Sequence, residues 1–148
     1  MKLTRNKKYS PKPVSAPMIV MRKTNENVIE SAERIAVTAL YSGFATQGHV
    51  ETISDMISLL MIAGGTDKNR QYANDYATNV AHKTFETINA RHDKTGKYGV
   101  NSEELQVLLE LIEFNKLFWD RQPTTLFAYA SNELKAFWAD KFNKRIAA

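Results

Sequence analysis

Apolar residues in this chain recur at three- and four-residue spacing in five separate stretches, and each stretch is closed by glycine or proline. That pattern is the strongest constraint on the fold. It suits amphipathic helices that each bury one stripe, and no segment alternates with the period of two that a half-buried strand needs. The first stretch starts behind a cap at Thr24 or Asn25, carries Val28, Ala32, Ile35, Ala36, Ala39 and Leu40, and stops at Gly43. The second, from about Gly48 to Ala63, carries Val50, Ile53, Ile57 and Leu60, with Met56, Leu59 and Met61 alongside, and Gly64-Gly65 ends it. The third starts near Thr66 or Asp67 and ends near His92. Its stripe is Tyr72, Ala73, Tyr76, Ala77, Val80, Ala81, Thr84 and Ile88, flanked by Phe85.

A two-glycine connector, Lys94-Thr-Gly-Lys-Tyr-Gly-Val100, leads to Asn101 and Glu104, which have capping-box spacing. The fourth helix follows at about 102–120 and is apolar nearly all round, from Leu105 to Trp119, so it is expected at the centre. Pro123 suits the first turn of a fifth helix, about 123–145, with Phe127, Ala130, Leu134, Phe137, Trp138 and Phe142 as its buried face. The expected fold is all-α: a single domain of about five helices, residues 25–148, behind an extended proline-rich basic N-terminal arm, residues 1–24. At 148 residues the chain is long enough to bury a core without help from disulfides or metals.

The arm is where charge collects. The chain holds 20 Lys and Arg against 16 Asp and Glu, a formal charge of +4. Lys2, Arg5, Lys7, Lys8, Lys12, Arg22 and Lys23 all lie in the arm, which has no acid. It is therefore +7 on a body of −3. Pro11, Pro13 and Pro17 favour an extended path, while Val14 and residues 18–21 are apolar enough to pack on the body, with a short edge strand expected at 18–21. That leaves residues 2–12 as the outward contact.

Catalytic patterns fail on their spacing. The chain has no cysteine, which removes thiol nucleophiles and Cys-based zinc sites and fits a reducing compartment. His82 and Glu86 share a helix face, but two ligands do not make a metal site. His49-Val-Glu51 has the H-x-E of zinc deaminases without the cysteines these require. Thr95-Gly96-Lys97 lacks the upstream glycine and the following Ser or Thr of a phosphate loop, and Gly64-Gly65 follows a helix rather than a strand. Glu103-Glu104 and Glu110 with Glu113 have nothing to set their environments apart. A helix-turn-helix across Gly43–Gly48 would put Glu51 and Asp55, and no cation, on the reading helix. The expectation is no enzyme, no metal and no cofactor.

Binding remains. The candidate site is Lys2, Arg5, Lys7, Lys8, Tyr9, Lys12, Arg22 and Lys23, extended by Lys141, Lys144 and Arg145 near the C-terminus. Cations with Tyr9 could track a phosphate backbone and stack a base. Aromatic residues make up 10% of the chain, enough to leave some exposed at a protein interface.

Lys7-Lys-Tyr-Ser-Pro-Lys-Pro-Val14, followed by Pro17-Met18, resembles the start of small prophage- and plasmid-borne accessory proteins of proteobacteria. The resemblance implies a phage or mobile-element product that acts on a host process. One specific form is an inhibitor of a CRISPR-type defence complex that occupies its nucleic-acid site. The expected function is thus a non-enzymatic accessory protein that binds a host protein or ribonucleoprotein. The alternative is a nucleic-acid-binding regulator of DNA or RNA that uses the arm. The longest apolar runs are too short to span a bilayer, so no membrane partner and a location in the host-cell cytoplasm are expected. A homodimer through the alanine-rich face of the third helix stays open.

Overall fold

The structure is a computed structural model that describes the backbone of residues 26–147 and the side chains of residues 28–146. The whole arm lies outside these residues, and with it the expected edge strand. Five helices make up the described chain, with no strand among the described residues: α1 (Glu26–Ser42), α2 (Gln47–Gly64), α3 (residues 71–95), α4 (Ser102–Asp120) and α5 (Thr124–Ala147). The chain is all-α, as its spacing predicts.

Local chemistry accounts for the boundaries. Gly43 adopts φ 85° and ends α1, its N–H donating to the Ala39 carbonyl at 3.0 Å. Asp67 opens a short 3₁₀ turn, Lys68–Arg70, by accepting from the Asn69 N–H at 2.8 Å. Gly96 at φ 77° caps α3. The Asn101–Glu104 capping box forms at the start of α4.

α2 is the central helix, packed by α1, α3 and α5. The expectation that α4 would be central fails because α4 buries one side only, Leu108, Leu111, Ile112, Phe118 and Trp119, while Leu117 is exposed. Val50, Ile53, Ile57 and Leu60 of α2 are all buried. Gly64 does more than end α2. A Cβ there would fall on the backbone of Asn74, so glycine is what lets α2 and α3 approach. Asn74 Nδ2 then donates to the Met61 carbonyl at 2.9 Å, which also accepts the Gly65 N–H at 3.1 Å, and so ties α3 to the last turn of α2.

α3 is interrupted by a π-helical turn, Ala77–Ala81, which the sequence pattern does not reveal. Ala73, Ala77, Ala81, Phe85 and Ile88 are its buried line, whereas Tyr72 and Val80 are exposed. The predicted stripe of α1 is also rotated. Val28, Ala32 and Ile35 are exposed, and the buried line is Glu33, Ala36, Val37 and Leu40. Glu33 goes inward because it has partners there. Trp119 Nε1 donates to Asn115 Oδ1 at 3.0 Å, and Asn115 Nδ2 donates to Glu33 Oε2 at 3.2 Å. A buried polar chain of this kind fixes which face of α1 meets α4.

Arg91 latches the connector before α4. It donates to both oxygens of Glu104, at 2.9 and 2.7 Å, and to the Gly99 carbonyl at 2.9 Å. Arg91 holds the Glu104 carboxyl below its ordinary range, against the opposing effect of burial and with help from the Asn101 N–H. His92 stacks on Tyr98 with ring centroids 3.8 Å apart, and the Tyr98 hydroxyl donates to Gln47 at 3.0 Å.

Candidate functional site

α5 holds the most exposed aromatic surface of the described chain. Its positions 127, 130, 134, 137, 138, 141 and 145 fall on one helix face by their three- and four-residue spacing. In the first half that side meets α2 and the end of α4, with Leu126, Ala130 and Ser131 buried and Phe127 edge-on to Trp119 at 5.0 Å. In the second half the same side is only partly covered. Phe137 is 52% exposed, Trp138 48% and Phe142 59%.

Separation from α2 explains the change. The helices run antiparallel, with Leu126 near Gly65, Phe137 beside Ser58, Met61 and Ile62, and Arg145 near Gln47 and Glu51. In its second half α5 lies opposite α2 but stands off it, and clefts lined by Phe137, Trp138 and Arg145 open between the two. The expectation that Phe137, Trp138 and Phe142 form a buried face is therefore corrected.

The exposed end mixes aromatic and basic groups. Phe137 and Trp138 meet edge-to-face at 5.4 Å, and the Lys141 ammonium lies 5.2 Å from the centre of the Phe137 ring and 5.5 Å from that of Trp138. Lys144 pairs with Asp140 at 3.2 Å. Arg145 lines a cleft of about 680 Å³ together with Trp138, and Glu51, Asp55, Phe85 and Tyr98 face them. Partial burial, with the nearby Glu51 charge, holds the Asp55 carboxyl above its ordinary range.

The structure thus brings Lys141, Lys144 and Arg145 onto one exposed helix end. The other candidate residues, Lys2, Arg5, Lys7, Lys8, Tyr9, Lys12, Arg22 and Lys23, lie outside the described residues. Two of the histidines weighed for catalysis have structural partners. His82 lies 3.4 Å from Glu86 on the surface, and His49 Nδ1 accepts from the Thr46 N–H at 3.0 Å, at the start of α2. Among the described residues no cluster of three His, Cys, Asp or Glu could hold a metal ion, and no helix is long and apolar enough to cross a membrane.

Comparison of the chain with protein families, with curated proteins and with solved structures gave no match in any of the three. The site defines a class by its chemistry alone: a helical body that offers an aromatic and cationic helix end.

Proposed function

We propose that this chain is a non-enzymatic interaction protein that docks on a host protein or ribonucleoprotein through the free end of α5, with the basic arm adding an electrostatic grip. The observation that carries the proposal is the exposure of Phe137, Trp138 and Phe142 beside Lys141, Lys144 and Arg145. Covering the exposed half of three aromatic side chains removes on the order of 250 Å² of apolar surface, about 6 kcal/mol before the costs of association. Aromatic and cationic side chains are also the types that dominate binding energy at protein interfaces. In the mobile-element setting that the N-terminal resemblance implies, the partner is a host complex in the cytoplasm, and inhibition of a CRISPR-type effector is the specific form.

The test compares capture of host proteins by the full-length chain with capture by two variants, Trp138→Ala with Phe142→Ala, and Lys141→Glu with Lys144→Glu and Arg145→Glu. The expected result is one captured complex that both variants lose while keeping wild-type helicity. Equal capture by all three would overturn the proposal.

The alternation of cations with aromatic rings on α5 also supports a second proposal, binding of single-stranded nucleic acid by stacking and phosphate contact. Affinity for a labelled oligonucleotide should then fall steeply with added salt and depend on Trp138. No shift at low salt ends that alternative.

A further inference from the structure

The cleft of about 680 Å³ between α2 and the far half of α5 has the size of a small-ligand site. Three helices and the connector before α4 build it. α2 contributes Gln47, Glu51, Ser54 and Asp55, α3 contributes Phe85 and Asn89, and α5 contributes Trp138 and Arg145, each set at helical spacing. Tyr98 comes from the connector.

Part of this lining is fixed in place. The Tyr98 ring is held by its stack on His92, and its hydroxyl donates to Gln47. Gln47 Nε2 in turn donates to Glu51 Oε2 at 3.4 Å. The rest is left open. The side chains of Ser54, Asp55 and Asn89 make no hydrogen bond or ion pair with another described residue. Burial and the like charge of Glu51 both act against the ionised form of Asp55. Arg145 lines the same cleft and forms no ion pair with Glu51 or Asp55. A cation placed at Asp55 would relieve a carboxylate that the described residues leave uncompensated.

Charge and ring chemistry select the ligand. Two carboxylates against one guanidinium leave the lining net negative, which disfavours an anion. The faces of Tyr98 and Trp138 attract cations. A guanidinium ligand uses every open group: its plane stacks on a ring, while its edge donates to the Asp55 carboxylate and the Asn89 amide oxygen. An ammonium has no plane to stack, and a neutral urea has no charge.

We propose that this cleft is a guanidinium site, and that it takes an arginine side chain of the docked partner. The cleft stands on its own chemistry; the assignment of the arginine to a partner rests on the interaction reading, because Trp138 belongs both to the cleft and to the exposed end of α5.

The experiment is titration of the full-length chain with N-acetyl-arginine N-methylamide, followed by tryptophan fluorescence, beside the lysine and citrulline counterparts. Citrulline replaces the guanidinium with an uncharged urea of similar shape. The expected result is saturable binding of the arginine compound, about tenfold tighter than either counterpart. Asp55→Asn should weaken it by about tenfold with wild-type helicity. Asn89→Ala is a second variant with a weaker site expected, and Asp75→Asn, an exposed acid outside the cleft, should bind as wild type does. No saturable binding, equal binding of the lysine or citrulline compound, or wild-type binding by both Asp55→Asn and Asn89→Ala would each overturn the proposal. A second measurement separates the sources of the guanidinium. Capture of the host complex should weaken in Asp55→Asn. Full capture by that variant, with binding of the arginine compound lost, would give the cleft to a free guanidino compound and overturn the assignment to a partner. Failure of the wild-type chain to capture any complex, with the titration as expected, would count against the interaction reading and leave the guanidinium site standing.

Discussion

The two halves of α5 make the same kind of surface and meet different fates. Leu126, Ala130 and Ser131 are buried, while Phe137, Trp138 and Phe142, on the continuation of that side, stand half exposed or more. Helical periodicity sorts residues onto a face, but a face is buried only where a second element packs against it. α2 lies opposite both halves, packed against the first and separated from the second by clefts lined by Phe137, Trp138 and Arg145. The contrast separates residues that hold the fold from residues free to serve a partner.

The largest effect should come from breaking the helix in each half. Proline costs a helix interior about 3 kcal/mol and clashes with the preceding turn. Ala130→Pro is expected to unfold the body, because position 130 is packed on all sides. Ala139→Pro is expected to remove helical signal from the last turns only and leave the melting transition of the body in place. Circular dichroism with thermal denaturation distinguishes them. Loss of the whole fold in Ala139→Pro would mean that the free end is not free.

Side-chain truncation draws the same contrast on a smaller scale. Leu126→Ala should lower stability by about 2–4 kcal/mol, as a buried leucine does. Phe142→Ala should stay within about 0.5 kcal/mol of wild type. Denaturant titration measures both.

The Arg91–Glu104 latch gives a control remote from α5. Removing Arg91 takes away charge-assisted hydrogen bonds, and Arg91→Ala should cost about 1.5–3 kcal/mol while the helical signal of α5 is unchanged. The pH sign follows from the carboxyl of Glu104, which is held below its unfolded value. Its contribution is complete above the ordinary carboxylate range and fades as pH falls through the lowered value. Glu104→Gln should therefore flatten the acid limb of the stability curve. The smallest effect is expected at Lys141. Lys141→Gln removes a cation held over two rings, worth about 0.5–1 kcal/mol at an exposed site, and should change the fluorescence of Trp138 more than it changes stability.

Much of the fold was legible because its signals are local. Gly43, Gly96, Asp67 and the Asn101–Glu104 pair act within a few residues of themselves, so the helix boundaries could be read within a turn. The faces were harder. In α1 the pattern favoured Val28 and Ile35, yet Glu33 faces inward because Asn115, far along the chain, donates to it. Gly64 reads as a stop, and its closer duty, admitting Asn74, belongs to a contact between helices. In the candidate site, Lys141, Lys144 and Arg145 were legible as charge. Phe137, Trp138 and Phe142 were assigned to the core because periodicity carries no information about how closely the partner helix approaches.

The sequence by itself determined the number of helices, their breaks and caps, and the concentration of positive charge in residues 1–24, since each depends on neighbouring residues or on composition. Only the tertiary structure decided that α2 is central, that α1 turns Glu33 inward, and that the aromatic side of α5 stands off its support. Those outcomes depend on which helices meet and how closely, and burial is a property of the pair of surfaces rather than of either one.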